Sequence, residues 1–220
     1  MTRPFADRAE AGEKLAARLA HLGGQDVVVL ALPRGGVPVA WPVARALGAP
    51  LDLVLVRKIG APGFEEFAVG AIAEGDPPEV VRDERSLAAM GADEAWFASA
   101  VARAAEEMAR RRAVFLRGRT RPEITGRVAV LVDDGLATGA TMRAAARATR
   151  RRKPARLVIA VPVGAPDAVQ RCAAEADEVV CLRAPEDFRA VGQHYRRFPQ
   201  LTDAEVTAVL DAAAGRRGGG

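Results

Sequence analysis

Two adjacent carboxylates, Asp133 and Asp134, close the apolar run in "VAVLVDDGLATGATM", residues 128 to 142. A short loop follows them, and then the chain reads as a helix. Gly135 and Gly139 let the backbone take positive φ or approach a ligand closely. Ala137, Thr138, Gly139, Ala140 and Thr141 can then turn successive N–H groups inward as an anion nest, helped by the positive pole of the helix that starts there. Such a loop suits a phosphate monoester. The carboxylates do not, because like charges repel. They suit vicinal hydroxyls, or a magnesium ion, a few bonds from the phosphate. No Lys follows the second Gly and no G-x-G-x-x-G is present, so the loop is neither a P-loop nor a dinucleotide fingerprint. The combination points to a sugar phosphate.

Two further stretches carry chemistry. In "LPRGGVPVA", residues 32 to 40, a strand ends and a helix opens. Gly35 and Gly36 expose backbone N–H groups there, and Arg34 supplies a fixed cation. In "VRKIGAPGFEEFAVGA", Arg57 and Lys58 end a strand on the same side of the fold, and the Gly- and Pro-rich segment 58–70 reads as a loop that carries Glu65 and Glu66.

The elements that must hold these residues alternate between strand and helix. Strands are expected at 27–32, 51–56, 127–132, 156–163 and 178–182. They are continuous apolar runs, as in a parallel sheet covered on both faces. A helix is expected over 37–48, with Pro38 in its first turn, and a long one from about 93 to 117. Ala11, Leu15, Leu19 and Leu22 form one helical face, stopped by Gly23 and Gly24. Thr202 and Glu205 read as a capping box before Val206, Val209, Leu210 and Ala213. The fold class is therefore α/β: a doubly wound, mostly parallel sheet flanked by helices. In such sheets ligands sit beyond the carboxyl ends of the strands, which is where Asp133 and Asp134 fall.

Composition narrows the function. A chain of 220 residues, half of them hydrophobic, suits a single domain over 1–214 with a core at about 24–182 and a small cap from 1–23 and 184–214. Residues 215–220, ending in Gly-Gly-Gly, read as a disordered tail. No apolar run is long enough to cross a bilayer and no secretory segment stands at the N-terminus, so a cytoplasmic location without membrane partners is expected. Cys172 and Cys181 read as buried hydrophobes, and His21 and His194 are too scattered for a zinc site. The net charge of +4 fits an anionic small molecule. The basic run 147–156 reads as a solvated helix end, and nucleic acid is not expected as a partner.

"VLVDDGLATGAT" resembles the phosphoribosyl diphosphate (PRPP) motif of type I phosphoribosyltransferases. The resemblance implies transfer of ribose 5-phosphate from PRPP to a nitrogenous base, with Mg²⁺ and release of pyrophosphate. It implies that Asp133 and Asp134 bind the ribose hydroxyls, meeting the metal indirectly through PRPP and water, and that residues 137 to 141 hold the 5-phosphate. It assigns "PRGG" to pyrophosphate, with a cis or otherwise strained Pro33–Arg34 peptide. It makes the segment after Arg57 and Lys58 a catalytic lid, mobile over about 60–67 without ligand, with Lys58 on pyrophosphate and Glu65 or Glu66 assisting the base. Ala137 stands where hypoxanthine–guanine enzymes carry Asp, which makes the loop similar to that of adenine phosphoribosyltransferases and favours a purine-like acceptor. Phe188, His194, Tyr195 and Phe198 are candidates to stack on it. A homodimer fits the resemblance. The alternative is a PRPP-binding regulator of nucleic acid that no longer catalyses. A sugar-phosphate enzyme unrelated to PRPP would leave "PRGG" unexplained.

Overall fold

The computed structural model of the chain describes residues 3–75, 77–117 and 119–215, with backbone alone at 65 and 66. In chain order the elements are α1 (Arg8–Arg18), β1 (Val27–Ala31), α2 (Gly36–Leu47), β2 (Leu51–Leu53), β3 (Val56–Ala61), β4 (Phe64–Ala73), β5 (Glu79–Arg82), α3 (Glu84–Ala89), α4 (Glu94–Leu116), β6 (Val128–Val132), α5 (Ala140–Arg151), β7 (Arg156–Val161), α6 (Pro166–Ala173), β8 (Glu178–Cys181) and α7 (Asp203–Gly215).

The central sheet has strand order β2-β1-β6-β7-β8, and every neighbouring pair is parallel. Alternate side chains enter two separate cores. Val27, Val29 and Ala31 of β1 join Leu15 of α1, Val43 of α2 and Leu210 of α7 on one face. Val28 and Leu30 join Met142 of α5 and Ala168 of α6 on the other. Burial on both faces is what the unbroken apolar runs require, and the doubly wound expectation is met.

The segment after β2 departs from expectation. The strand anticipated over 51–56 stops at Leu53, and Val54 and Leu55 hand the chain to a second sheet of order β3-β4-β5. Residues 58–70 are not a loop. They belong to an antiparallel hairpin, with Ala61 paired to Phe64 across a Pro62-Gly63 turn in which Gly63 has φ of 74°. Pro followed by a positive-φ Gly is the pair that a type II turn uses. Gly70 inside β4 has a packing reason: a β-carbon there would lie 2.7 Å from the Val81 carbonyl oxygen. β5 and α3 were not anticipated at all. The hairpin sheet packs Ile59, Ala61 and Val69 on Leu87 and Phe97, and Ala71 and Ala73 on Ala144 and Ala148 of α5.

Helix ends follow local chemistry. Asp7 caps α1 by accepting from the Glu10 N–H, and Asp93 caps α4 in the same way through Trp96. Before α7 the Glu205 N–H donates to Thr202 Oγ1 at 3.2 Å and the Thr202 N–H donates to Glu205 Oε2 at 2.8 Å, the reciprocal capping box. The basic run after residue 147 is ion-paired: Arg147 with Glu175, Arg150 with Asp177 and Arg156 with Glu178, at 2.7 to 2.9 Å. The tail expected from 215 lies outside the described residues apart from Gly215, which ends α7.

The two terminal segments meet. The Phe5 N–H donates to the His194 carbonyl and the Arg196 N–H to the Phe5 carbonyl, both at 2.8 Å. The rings of Phe5 and Tyr195 lie 5.5 Å apart.

Candidate active site

Asp133 and Asp134 leave β6 at its carboxyl end, and the Asp134 N–H donates to Asp133 Oδ1 at 2.8 Å. The loop that follows is pinned at Leu136, whose N–H donates to the Val163 carbonyl and whose carbonyl accepts from the Ala165 N–H, both at 2.9 Å. Gly139 has φ of 74° and hands the chain directly to α5. The first N–H groups of a helix have no intrahelical acceptor, and that of Ala140 is met by Thr138 Oγ1 at 3.4 Å. Residues 135 to 142 line a small cavity of about 130 Å³ together with Asp133, Val191 and Lys58. Lys58 arrives from β3, on the other sheet. The expected phosphate loop and Lys58 therefore face one another.

The "PRGG" loop lies directly against the acids. The Leu32 N–H donates to the Val132 carbonyl at 2.9 Å, and the Pro33–Arg34 peptide is cis. A β-carbon on Gly36 would lie 2.5 Å from the Val132 carbonyl oxygen, so glycine is what lets the two strand ends approach. Arg34, expected as a fixed cation, is held by two partners. Its Nε pairs with Asp203 Oδ1 at 2.8 Å and its guanidinium donates to the Leu201 carbonyl at 2.9 Å, so the first turn of α7 already engages it.

Arg57 sits 3.7 Å from Glu107 of α4, and with Lys58 it lines a groove of about 520 Å³. The Glu65 and Glu66 side chains lie outside the described residues; their backbone is part of β4, just past the hairpin turn.

A larger cavity of about 680 Å³ opens on the other side of the acids, lined by Arg8, Arg34, Arg111, Asp134, Phe198 and Gln200 among others. Of the four aromatic candidates only Phe198 lines it. Phe188 and His194 stack on each other with centroids 5.5 Å apart, and the Tyr195 hydroxyl donates to the Asp134 carbonyl at 2.6 Å. Sequence reasoning missed Arg8 and this role of Tyr195. Arg8 Nε pairs with Asp134 Oδ2 at 2.8 Å across 126 positions of sequence, and no local signal marks that contact.

The electrostatics of the acids follow from burial. Loss of solvent pushes the Asp133 pKa well above the ordinary carboxylate value, and the neighbouring Asp134 charge raises it further. Burial also raises Asp134, opposed by the Arg8 guanidinium. Burial raises the Tyr195 hydroxyl, as does the charge of Asp134. Among the described residues no cluster of three or more His, Cys, Asp or Glu could cage a metal ion.

The family model described as "Phosphoribosyl transferase domain" matches residues 6–195. The chain belongs to the phosphoribosyl transferase family. It is 51% identical over 209 residues to the Mycobacterium tuberculosis protein Rv0571c, itself only provisionally named a phosphoribosyl transferase. That match covers 95% of this chain and 47% of Rv0571c, so the chain spans about half the length of the curated relatives it matches. The crystal structure of TT1426 from Thermus thermophilus superposes with a TM-score of 0.79 at 48% identity, covering 95% of this chain and 98% of that one. Among the described residues of this family member, no helix is long and apolar enough to cross a membrane.

Proposed function

We propose that this chain transfers ribose 5-phosphate from PRPP to a purine-like nitrogenous base and releases pyrophosphate. One observation carries the reading: the loop that follows the paired acids encloses, with Asp133, a phosphate-sized cavity that is faced, from a different sheet, by Lys58, while Asp134 lines the larger cavity beside it. Residues 137 to 141 would hold the 5-phosphate, Asp133 and Asp134 the ribose hydroxyls, and the Gly35 amide with Lys58 the departing pyrophosphate, the Gly36 N–H being given to the Leu32 carbonyl at 2.9 Å. The large cavity beside Asp134, roofed by the terminal segments as a hood over a single domain, would take the acceptor.

The donor set fits magnesium. Mg²⁺ keeps most of its waters and is commonly held by one or two carboxylates plus substrate phosphates, not by an all-protein cage. Asp133 and Asp134 supply two carboxylates, and among the described residues no third His, Cys, Asp or Glu joins them in a metal-sized cluster. When bound, the ion supplies positive charge against the leaving diphosphate. The chain's own part is positional. The loop fixes the phosphate, the acids fix the sugar, and Lys58 places its ammonium where negative charge develops. The hairpin tip, carrying Glu65 and Glu66 as candidate proton acceptors, would exclude water that could otherwise hydrolyse PRPP. A cytoplasmic location and a homodimer belong to the same proposal.

A second reading has an observation of its own. Arg34 is engaged by Asp203 and Arg57 faces Glu107, which leaves fewer free cations at the leaving-group side than transfer would use. This favours a PRPP-binding regulator of nucleic acid without catalysis. Incubation with PRPP, Mg²⁺ and a panel of bases, reading pyrophosphate and nucleotide together, separates the two. Turnover with any base supports the transferase. PRPP binding with no pyrophosphate from any base supports the regulator.

A further inference from the structure

Arg8 is buried without being part of the hydrophobic core. Its side chain is 9% exposed, and the guanidinium has three partners. Nε donates to Asp134 Oδ2 at 2.8 Å, a terminal nitrogen donates to the Pro199 carbonyl at 2.9 Å, and the plane lies 3.8 Å from the centre of the Phe198 ring. The residue opens α1, while its partners come from β6's end and from the segment before α7. A surface arginine at a helix start has no need of three such partners, and long cations are rarely buried unless paired.

Its target explains the arrangement. A polyanion must approach two adjacent carboxylates, which is unfavourable while both carry free charge. The contact to Oδ2 compensates one of those charges. A carboxylate accepts through two oxygens with about four lone-pair sites, so Oδ1 of Asp134 remains available for a hydroxyl. The Phe198 ring and the Pro199 carbonyl fix the guanidinium plane, and the guanidinium in turn fixes the carboxylate.

We infer that Arg8 is a positioning residue for sugar-phosphate binding: it orients and charge-compensates Asp134 so that the carboxylate can receive the ribose hydroxyls beside a bound phosphate. This rests on the proposed role of Asp134. The phosphate loop itself does not touch Arg8, so the effect is specific to the sugar part of the ligand.

The test compares PRPP, with Mg²⁺, against inorganic phosphate, using calorimetry for the first and phosphorus NMR titration for the second. Arg8→Gln is expected to weaken PRPP about tenfold or more, the scale of one charge-assisted hydrogen bond, and to leave phosphate binding within about twofold of wild type. Arg8→Lys, which keeps the charge without the fork, should fall between. If circular dichroism shows Arg8→Gln unfolded, Arg8→Lys carries the same comparison, with PRPP weakened and phosphate unchanged. Equal losses for both ligands would assign Arg8 to the fold alone and overturn the inference. So would unchanged or tighter PRPP binding. A wild-type chain that binds no PRPP sinks the proposed function and this inference together, whereas wild-type binding with insensitive Arg8 variants sinks only the inference.

Discussion

Gly35 and Asp134 occupy adjoining space: a β-carbon on Gly35 would lie 2.5 Å from the carboxyl carbon of Asp134. The carboxylate cannot swing away without breaking its bond to Arg8. Gly35→Ala is therefore expected to displace Asp134 by a fraction of an ångström to an ångström. Misplacement on that scale lowers kcat/KM about a hundredfold, while overpacking costs roughly 1–3 kcal/mol of stability. Steady-state kinetics beside a urea melt would check both. Wild-type turnover in the alanine variant would show that the "PRGG" loop need not press on the acids.

Asp133 works against the fold at neutral pH. Burial, reinforced by the Asp134 charge, raises its pKa above the ordinary 3.8, so the native state holds the proton more tightly than the unfolded chain does. Its favourable contribution is complete below the unfolded value and is lost as pH rises through the folded one. Asp133→Asn should then melt above wild type near pH 8, with the gap closing toward pH 4, and should lose PRPP-dependent turnover. Thermal melts across that range measure it. A variant less stable than wild type at pH 8 would mean that Asp133 is structurally required.

Arg112 lies at the root of the hairpin. It donates to Asp52 at 2.9 Å and to Glu74 at 2.7 Å, and those carboxylate side chains are 3% and 11% exposed. Glu74 in turn accepts the Leu55 N–H at 3.0 Å, so one cation fixes the junction of the two sheets. Arg112→Met leaves two buried carboxylates uncompensated, which typically costs about 3–5 kcal/mol. Chemical denaturation would show the loss. A near-neutral result would mean that Arg121, which also approaches both acids, takes over.

Lys58 is expected to act on the chemical step. Lys58→Ala should lower kcat about 10²- to 10³-fold, the usual effect of removing one charge-stabilising donor, with little change in melting temperature because the residue is exposed. Single-turnover pyrophosphate release isolates that step. If the variant changes only KM for PRPP, Lys58 serves binding and not the leaving group.

Much of this site was legible because its chemistry is local. Asp133, Asp134 and residues 135 to 141 are consecutive, and apolar strands bounded by glycine place them at a sheet's carboxyl edge. The central strands were legible for the same reason, since double-sided burial erases alternation. The hairpin was not. Gly60, Pro62, Gly63 and Gly70 read as loop residues, whereas two of them make a turn and Gly70 makes room for the Val81 carbonyl. The contact of Arg34 with Asp203 was not legible either, because Asp203 approaches only through tertiary packing. Arg8 and Tyr195 meet Asp134 from opposite ends of the chain, and no window of sequence contains both.

The division of labour between the two sheets has one more consequence. The cradle for the phosphate belongs to the parallel sheet, while Lys58 rides on the antiparallel hairpin, joined to it by Val54 and Leu55 and clamped there through Glu74. On the proposed reading, holding the ligand falls to one sheet and breaking it to the other. Substitutions confined to the hairpin would then erase turnover and leave recognition whole, which would put a catalyst and a receptor for the same sugar phosphate only a few residue changes apart on this scaffold.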